Sequence, residues 1–263
     1  MGGKAMPSTR FSLSVARSPE FAKSSNRLLA ALPPADLALL APFIREVPLG
    51  RGMVLHEPGG VIEQVYFPLN GMVSLVVGMR SGETVETTTI GREGALGTGV
   101  ALGSRRAIGT AIAQLAGTAA RVPAAQFEAV ASRSTAIRDL AICCNELLIA
   151  QIQQSVACNT LHDAEARLCR SLLQTSDHVG SDMVPLTQDF LSQMLGVRRT
   201  TVTIVARILQ SAGMIRYRRG QIQIVDRAAL EQSACECYGS IRQLTDRLLP
   251  ESKEELRKPP IEA

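Results

Sequence analysis

The chain has 263 residues, 46% of them hydrophobic and 20% charged, with six cysteines, three histidines and a formal net charge of +4. That length accommodates two modest domains with buried cores. Mean hydropathy is only +0.11 and no run reaches the roughly 18 apolar residues of a membrane span, so a membrane partner is not expected.

Residues 1–25 are rich in Ser, Arg and Lys, with Glu20 as the only acid. They lack the roughly 7–15-residue apolar core of a secretory signal and read as a disordered arm. Residues 26–46 look helical, with an interruption at Pro33-Pro34. From Gly50 to about Pro123, short β-rich runs (MVLHE, VYFPL, MVSLVVGM, TVETTTI, TAIAQLAG) alternate with turn signals at Pro58-Gly59-Gly60, Asn70-Gly71, Ser81-Gly82 and Gly91. Such spacing predicts an all-β barrel or jelly roll, a sensor-like domain over 26–135. The stretch GREGALGTG (91–99) places four glycines in nine residues, which raises the question of a phosphate-binding loop. No G-x-x-x-x-G-K-[ST] accompanies it, and turn glycines are the reading adopted.

A long helix without Gly or Pro is predicted over 136–161. Leu140, Cys144, Leu147, Gln151, Gln154, Cys158 and Leu161 follow alternating steps of four and three, the seam of a coiled coil between two copies of the chain. A single buried core helix is the competing reading. Ile149, Ile152 and Val156 lie off that seam and are expected to pack on the β domain. Asp163-Ala164-Glu165 can cap a second helix running to about Gln174.

The stretch LTQDFLSQMLGVRRTTVTIVARILQ (186–210) carries most of the information about function. Thr187 can cap a helix from Gln188 to Leu195, Gly196 breaks it, and a second helix follows from about Arg199 to Gln210. Leu191, Leu195, Val197, Val202 and Val205 fit a helix-turn-helix core. At 100° per residue from Arg199, Thr203, Arg207 and Thr200 fall at about 40°, 80° and 100°, opposite Val202, Val205 and Leu209. One face is Arg/Thr and the other aliphatic, as a helix entering a major groove requires. The two β-like runs of MIRYRRGQIQIVD (214–226) add a hairpin with Arg218 and Arg219 at its tip. A winged helix-turn-helix is therefore expected over 162–230, with a C-terminal helix and tail over 231–263. Between Leu186 and Arg227 seven arginines face only Asp189 and Asp226, a local excess of five that leaves the rest at −1. Such concentration suits a polyanion-binding patch. The candidate DNA-binding residues are Thr187, Arg198, Arg199, Thr200, Thr201, Thr203, Arg207, Arg218 and Arg219.

The cysteines lie at 143, 144, 158, 169, 235 and 237, four of them in helical stretches and none in C-x-x-C, which fits a reducing cytoplasm. His56, His162 and His178 are far apart in sequence, and no zinc-finger spacing is present. No metal and no cofactor are expected. Cys235-Glu236-Cys237 is read as helical, its two thiols on different sides.

The β-rich region with VLHEPGG and VYFPLNGMVSLV, the long helix and LTQDFLSQMLGVRRTTV…GMIRYRRGQI together resemble the cyclic-AMP-receptor/FNR (Crp/Fnr) family of bacterial transcription regulators, over roughly 26–248. The resemblance implies an α+β chain with a jelly-roll domain, a dimerising helix and a winged helix-turn-helix. It also implies a homodimer on near-palindromic promoter DNA, with RNA polymerase as a further partner. Where cyclic-AMP receptors have Ser-Arg-Glu-Thr-Val-x-Arg, this chain has Arg198-Arg199-Thr200-Thr201-Val202-Thr203-Ile204. Arg199 falls on the guanine-reading arginine, while Thr200 and Ile204 replace a glutamate and an arginine, so the target sequence should differ. The ribose-binding acid and phosphate-binding arginine of nucleotide-binding members fall at Gly97-Thr98-Gly99 and Thr110-Ala111-Ile112, where both are missing. The N-terminal cysteines that hold an iron–sulfur cluster in FNR-type members are missing too, and a haem at His56 is unsupported. Two alternatives stay open, a cupin-like metal-dependent enzyme and a cyclic-nucleotide-dependent regulator. Cys144 and Cys158 are either buried thiols or a redox pair across the dimer.

Overall fold

Asn26 anchors the start of the chain. Its side chain accepts from the Leu29 amide and donates to the Pro68 and Gly94 carbonyls, capping α1 (Arg27–Ala31) and tying it to the β-rich region. The structure is a computed structural model and describes residues 25–218 and 220–249; the arm expected over 1–25 lies almost wholly outside them. Pro34 opens α2 (Pro34–Leu40) at a position where a missing N–H costs nothing.

Seven strands follow: β1 (Arg45–Leu49), β2 (Val54–His56), β3 (Gln64–Pro68), β4 (Met72–Gly78), β5 (Thr84–Ile90), β6 (Thr110–Leu115) and β7 (Gly117–Pro123). They form two antiparallel sheets, ordered β1-β7-β3 and β2-β6-β4-β5. The expected runs became β2 to β6. The sequence reading passed over β1, an edge strand holding Pro48, and β7, whose inward residues Ala119 and Ala120 are small. Phe67 and Phe127 meet at the centre of the roll, ring centroids 6.0 Å apart. Phe127 belongs to α3 (Ala124–Ala131), which covers that end.

Helix α4 (Thr135–Leu161) begins at Ser134, whose hydroxyl accepts from the Ile137 amide and donates to Asp36. The expected two-copy seam is corrected here, because that stripe is occupied by the chain itself. Leu140, Cys144 and Leu147 are buried in the roll's core, Gln151 accepts from Thr88 at 2.7 Å, and Gln154 donates to the Cys237 thiol at 2.9 Å. Cys158 is fully buried beside Cys235 and Cys237; of the seven, Leu161 is exposed. The physical reason is that the β-roll supplies an apolar wall and α4 turns its richest face toward it. Of the residues expected to pack on the β domain, Ile152 is half-buried, whereas Ile149 and Val156 face outward, 55 and 64% exposed. With Ile142, 39% exposed, they form an outward stripe at seven-residue intervals. A redox pair across a dimer through Cys144 and Cys158 is excluded by the same burial.

After a two-residue break comes α5 (Ala164–Val179), capped by Asp163 on the Ala166 amide and five residues longer than expected. Then follow β8 (Met183–Val184), α6 (Gln188–Leu195), α7 (Arg199–Ser211), β9 (Ile215–Arg218), β10 (Gln221–Ile224), α8 (Arg227–Ser233) and α9 (Cys237–Leu248). The core of this unit, built on Leu168, Leu172, Leu191, Val202 and Leu209, also takes in Met72 and Leu115 from β4 and β6. The two halves therefore share apolar packing.

Leu147→Ala removes a side chain only 4% exposed and should lower folding stability by about 2–5 kcal/mol. Urea denaturation checks this, and the loss should not depend on protein concentration. A concentration-dependent loss would return Leu147 to an interface between chains.

Candidate nucleic-acid interface

Local chemistry fixes the helix-turn-helix. The Thr187 hydroxyl accepts from the Phe190 amide at 3.3 Å and caps α6, while Gly196 ends it at φ 59°, a left-handed value that suits glycine. Three residues later α7 begins. Its buried side carries Val202, Val205, Ala206 and Leu209, the aliphatic face read from the sequence.

The opposite side carries the candidate contacts. Arg198, Arg199, Thr200 and Arg207 are exposed, and Thr201 and Thr203 are half-buried. The Thr203 hydroxyl bonds back to the Arg199 carbonyl at 3.1 Å. Arg199 is held in place: its Nε donates to Gln188 Oε1 at 3.2 Å and its Nη1 lies 3.2 Å from Asp189 Oδ1. Gln188 and Asp189 were not singled out in the sequence. They sit in the first turn of the preceding helix, and only the turn at Gly196 brings them beside Arg199. Ile204 and Ile208 are exposed apolar residues on the flank of α7.

Strands β9 and β10 pair in the register Arg218↔Gln221, forming the expected hairpin. Arg218 is exposed at its tip; Arg219 lies outside the described residues. A Cβ at Gly220, which has φ 74°, would lie 3.6 Å from Thr187 Cγ2, so the hairpin tip stands beside the cap of α6. The Gln210 side chain accepts from the Tyr217 amide at 3.0 Å and joins α7 to β9. Arg227 does not belong to this surface, because it pairs with Asp177 (2.7 Å) and Glu231 (2.9 Å) and donates to Tyr238 Oη. One of the seven charges behind the basic excess is thus spent internally.

The start of GREGALGTG, Gly91 to Glu93, adds a polar contact between the roll and this unit. Glu93 Oε2 meets His178 Nδ1, in the last turn of α5, at 3.1 Å, and Glu93 Oε1 accepts the Gly91 amide at 2.9 Å. Gly91 is required here: a Cβ would come within 2.2 Å of the His178 ring. The other His178 nitrogen faces Thr89 at 3.2 Å. At Gly97, with φ 89°, a Cβ would come within 2.9 Å of the Gln64 carbonyl oxygen, so the tight turn requires glycine. Of the nearby arginines, Arg105 pairs with Glu128 and Arg106 donates to the Gly59 carbonyl. His56 packs against Tyr66, and burial lowers its pKa. The loop also borders a cleft of about 580 Å³ whose lining includes Arg27, Arg92, Glu93, His178 and Arg242.

The sequence profile agrees with this geometry. Residues 46–134 match the cyclic nucleotide-binding domain family, and residues 166–233 match the Crp-like helix-turn-helix domain. The chain belongs to the Crp/Fnr family. FixK2 from Bradyrhizobium japonicum superposes with a TM-score of 0.64 at 15% identity, over 73% of this chain and 98% of its own. TTHB099, a CRP-family transcriptional regulator from Thermus thermophilus, gives 0.60 at 18%, over 72% and 96%. CLP, a c-di-GMP-responsive global regulator from Xanthomonas campestris, gives 0.60 at 12%, over 73% and 99%. At such identities the likeness is one of fold. No curated protein matches the chain by sequence. Crp/Fnr membership and the Crp-like helix-turn-helix make the protein a DNA-binding transcription regulator, in a family of regulators rather than enzymes. Among the described residues no helix is long and apolar enough to cross a membrane.

The Glu93–His178 pair predicts a pH dependence. Burial disfavours the Glu93 carboxylate, but the imidazolium and the loop amides outweigh it and hold its pKa down to about 2, from 4.5. Burial likewise opposes charging of His178, and Glu93, with Asp177 and Glu86, raises its pKa above 6.5. The pair's contribution is therefore full between about pH 4.5 and 6.5. It fades as pH rises through the raised value of His178, and as pH falls toward 2. Thermal melts from pH 6 to 9 should show a decline that His178→Gln reduces, the remainder near pH 7 belonging to Glu86, whose carboxyl burial pushes up to about 7. An unchanged profile in that variant would assign the decline to other groups.

Proposed function

We propose that the protein binds near-palindromic promoter DNA as a homodimer, with α7 as the recognition helix in the major groove. The observation that carries this is the Arg/Thr face of α7, free opposite a fully packed aliphatic face and flanked by an arginine-bearing hairpin. Arg199, near the N-terminus of α7, reaches guanine O6 and N7 in a bidentate contact. Thr200 and Thr203 read the adjacent edges, and exposed Ile204 meets a thymine methyl. Thr187, Arg198, Thr201, Arg207, Arg218 and Arg219 contact phosphates and fix the register. On free protein Asp189 and Gln188 hold the Arg199 guanidinium, so reading a base exchanges those bonds for base contacts.

The second copy docks along the outward stripe of α4. Ile142, Ile149 and Val156 recur at the heptad interval and present a continuous apolar line that the chain itself does not cover. Pairing two such helices places two recognition helices about a two-fold axis, and the DNA site inherits that symmetry.

Genomic fragments selected by the purified protein should yield a palindrome. Arg199→Ala should weaken binding to it by about 1–3 kcal/mol and relax the preference at one base position. Undiminished selectivity in the variant would remove α7 from the major groove. Independently, Ile149→Glu should halve the mass in solution with little change in the fold, as read by light scattering beside far-ultraviolet circular dichroism. A mass unchanged by Ile149→Glu would displace the dimer contact from this stripe.

A further inference from the structure

Cys158, His162, Cys235 and Cys237 come from two segments far apart in sequence, yet their ligand atoms all lie within 4.8 Å of one another. Cys158 is in the last turn of α4 and His162 is that helix's C-cap. The expectation that Cys235 and Cys237 diverge is corrected: α8 ends at Ser233, Cys235 sits in the bend before α9, and Cys237 is the first residue of α9. The bend turns both thiols to one side. Cys158 Sγ lies 3.5 Å from Cys235 Sγ, and Cys237 Sγ lies 3.6 Å from His162 Nδ1. All three cysteines are free and buried.

These separations have a geometric meaning. A zinc ion with Zn–S of about 2.3 Å and Zn–N of about 2.0–2.1 Å in a tetrahedron needs ligand-to-ligand edges of about 3.5–3.8 Å. A disulfide would account for two of the sulfurs and leave a third thiol and an imidazole against them. The surroundings suit a cation as well. His162 Nε2 faces Glu236 Oε2 at 3.0 Å, a carboxylate contact that puts the proton on Nε2 and turns the Nδ1 lone pair inward. The Gln154 amide donates to Cys237 Sγ at 2.9 Å, the bond a thiolate accepts. Buried Arg167, whose Nε has no hydrogen-bond partner, lies within electrostatic reach of Cys158 and Cys235. Its charge offsets the single negative charge of a Zn²⁺ held by three thiolates and a neutral imidazole.

We propose that Cys158, His162, Cys235 and Cys237 form a closed, structural Zn²⁺ site that fastens the end of α4 to the start of α9. Loading releases a proton from each thiol that binds as thiolate, and no electron moves. With four protein ligands there is no open position for substrate, so the ion's role is mechanical. The site spans the two-residue break between α4 and α5, where the chain passes from the roll to the DNA-binding unit. Arg167 also donates to the Leu195 carbonyl at the end of α6, which links the site to the helix-turn-helix.

The test is metal analysis of the full-length protein, produced with zinc in the medium and purified under reductant without chelator. About one zinc per chain is expected. Cobalt(II) added to reduced, metal-stripped protein should give tetrahedral d–d bands and a thiolate charge-transfer band. Cys235→Ser and His162→Ala should each weaken retention at least tenfold, Glu236→Gln by about 10–100-fold, and Cys143→Ser not at all. Zinc-free protein without cobalt bands would overturn the proposal, and so would stoichiometric iron or a Cys158–Cys235 disulfide in the purified chain. Should a variant fail to fold, the cobalt spectrum of the unaltered protein still decides. Neither readout depends on DNA binding, so the site and the recognition-helix reading stand or fall separately.

Discussion

Leu140, Cys144 and Leu147 turn one face of α4 into the wall of the β-roll core, and that choice fixes what the rest of the helix can do. A heptad of an α-helix drifts by only about 20°, so Ile142, Ile149 and Val156 stay aligned on the opposite side and in water. Along its inner face α4 changes chemistry by position. Apolar residues meet the roll, Gln151 and Gln154 then bond to Thr88 and Cys237, and Cys158 ends among thiols. Each zone matches what lies beside it: the roll core, then strand β5 and the start of α9, then the thiols at the bend before α9. One helix thus joins the roll to the C-terminal helix α9 and keeps an apolar face, Ile142, Ile149 and Val156, exposed.

Strand β5 is the second element on which the arrangement turns. Thr88 reaches α4, Thr89 reaches His178 on α5, and Val85 Cγ2 would lie 3.6 Å from a Cβ at Gly196. A single strand therefore touches the long helix, the helix after it and the turn of the helix-turn-helix. Among the glycines after β5, Gly91 serves this crowding. At Gly91 the histidine ring occupies the space of a side chain, and His178, near the C-terminus of α5, is where a helix favours positive charge. Glu93 completes the contact with the opposite charge from the roll.

The helix-turn-helix was legible because its determinants are local. Thr187, Gly196 and the aliphatic spacing from Leu191 to Leu209 lie within one short stretch, and caps and periodicity report them directly. The α4 seam was misread because two stripes of that helix satisfy heptad spacing, and spacing alone does not say which meets the chain's own core. The two glutamines suggested an interface, whereas each has a partner within the chain. Strands β1 and β7 escaped because proline and alanine dilute the strand pattern. Glu93–His178 and the Cys158–Cys235 cluster join residues 85 and 77 positions apart; no motif spans such distances. Arg227 shows the same limit for charge, since a count of arginines does not reveal which are already paired.

Only His162 and Asp163 separate α4 from α5, so the backbone dihedrals of two residues set the direction in which the DNA-binding unit leaves the long helix. In a dimer built on α4, small rotations at that break are magnified at α7, and two half-sites one helical turn of DNA apart tolerate little error. The chain restrains the break from both sides. On one side Glu93 and β5 hold α5 and α6 against the roll; on the other the thiol and imidazole cluster binds the end of α4 to α9. Asp163 belongs to the restraint too, because its carboxylate caps α5 through the Ala166 amide while its neighbour His162 faces the cluster. The residues around the break therefore set the direction in which α7 is presented, the geometry on which the proposed docking on DNA depends.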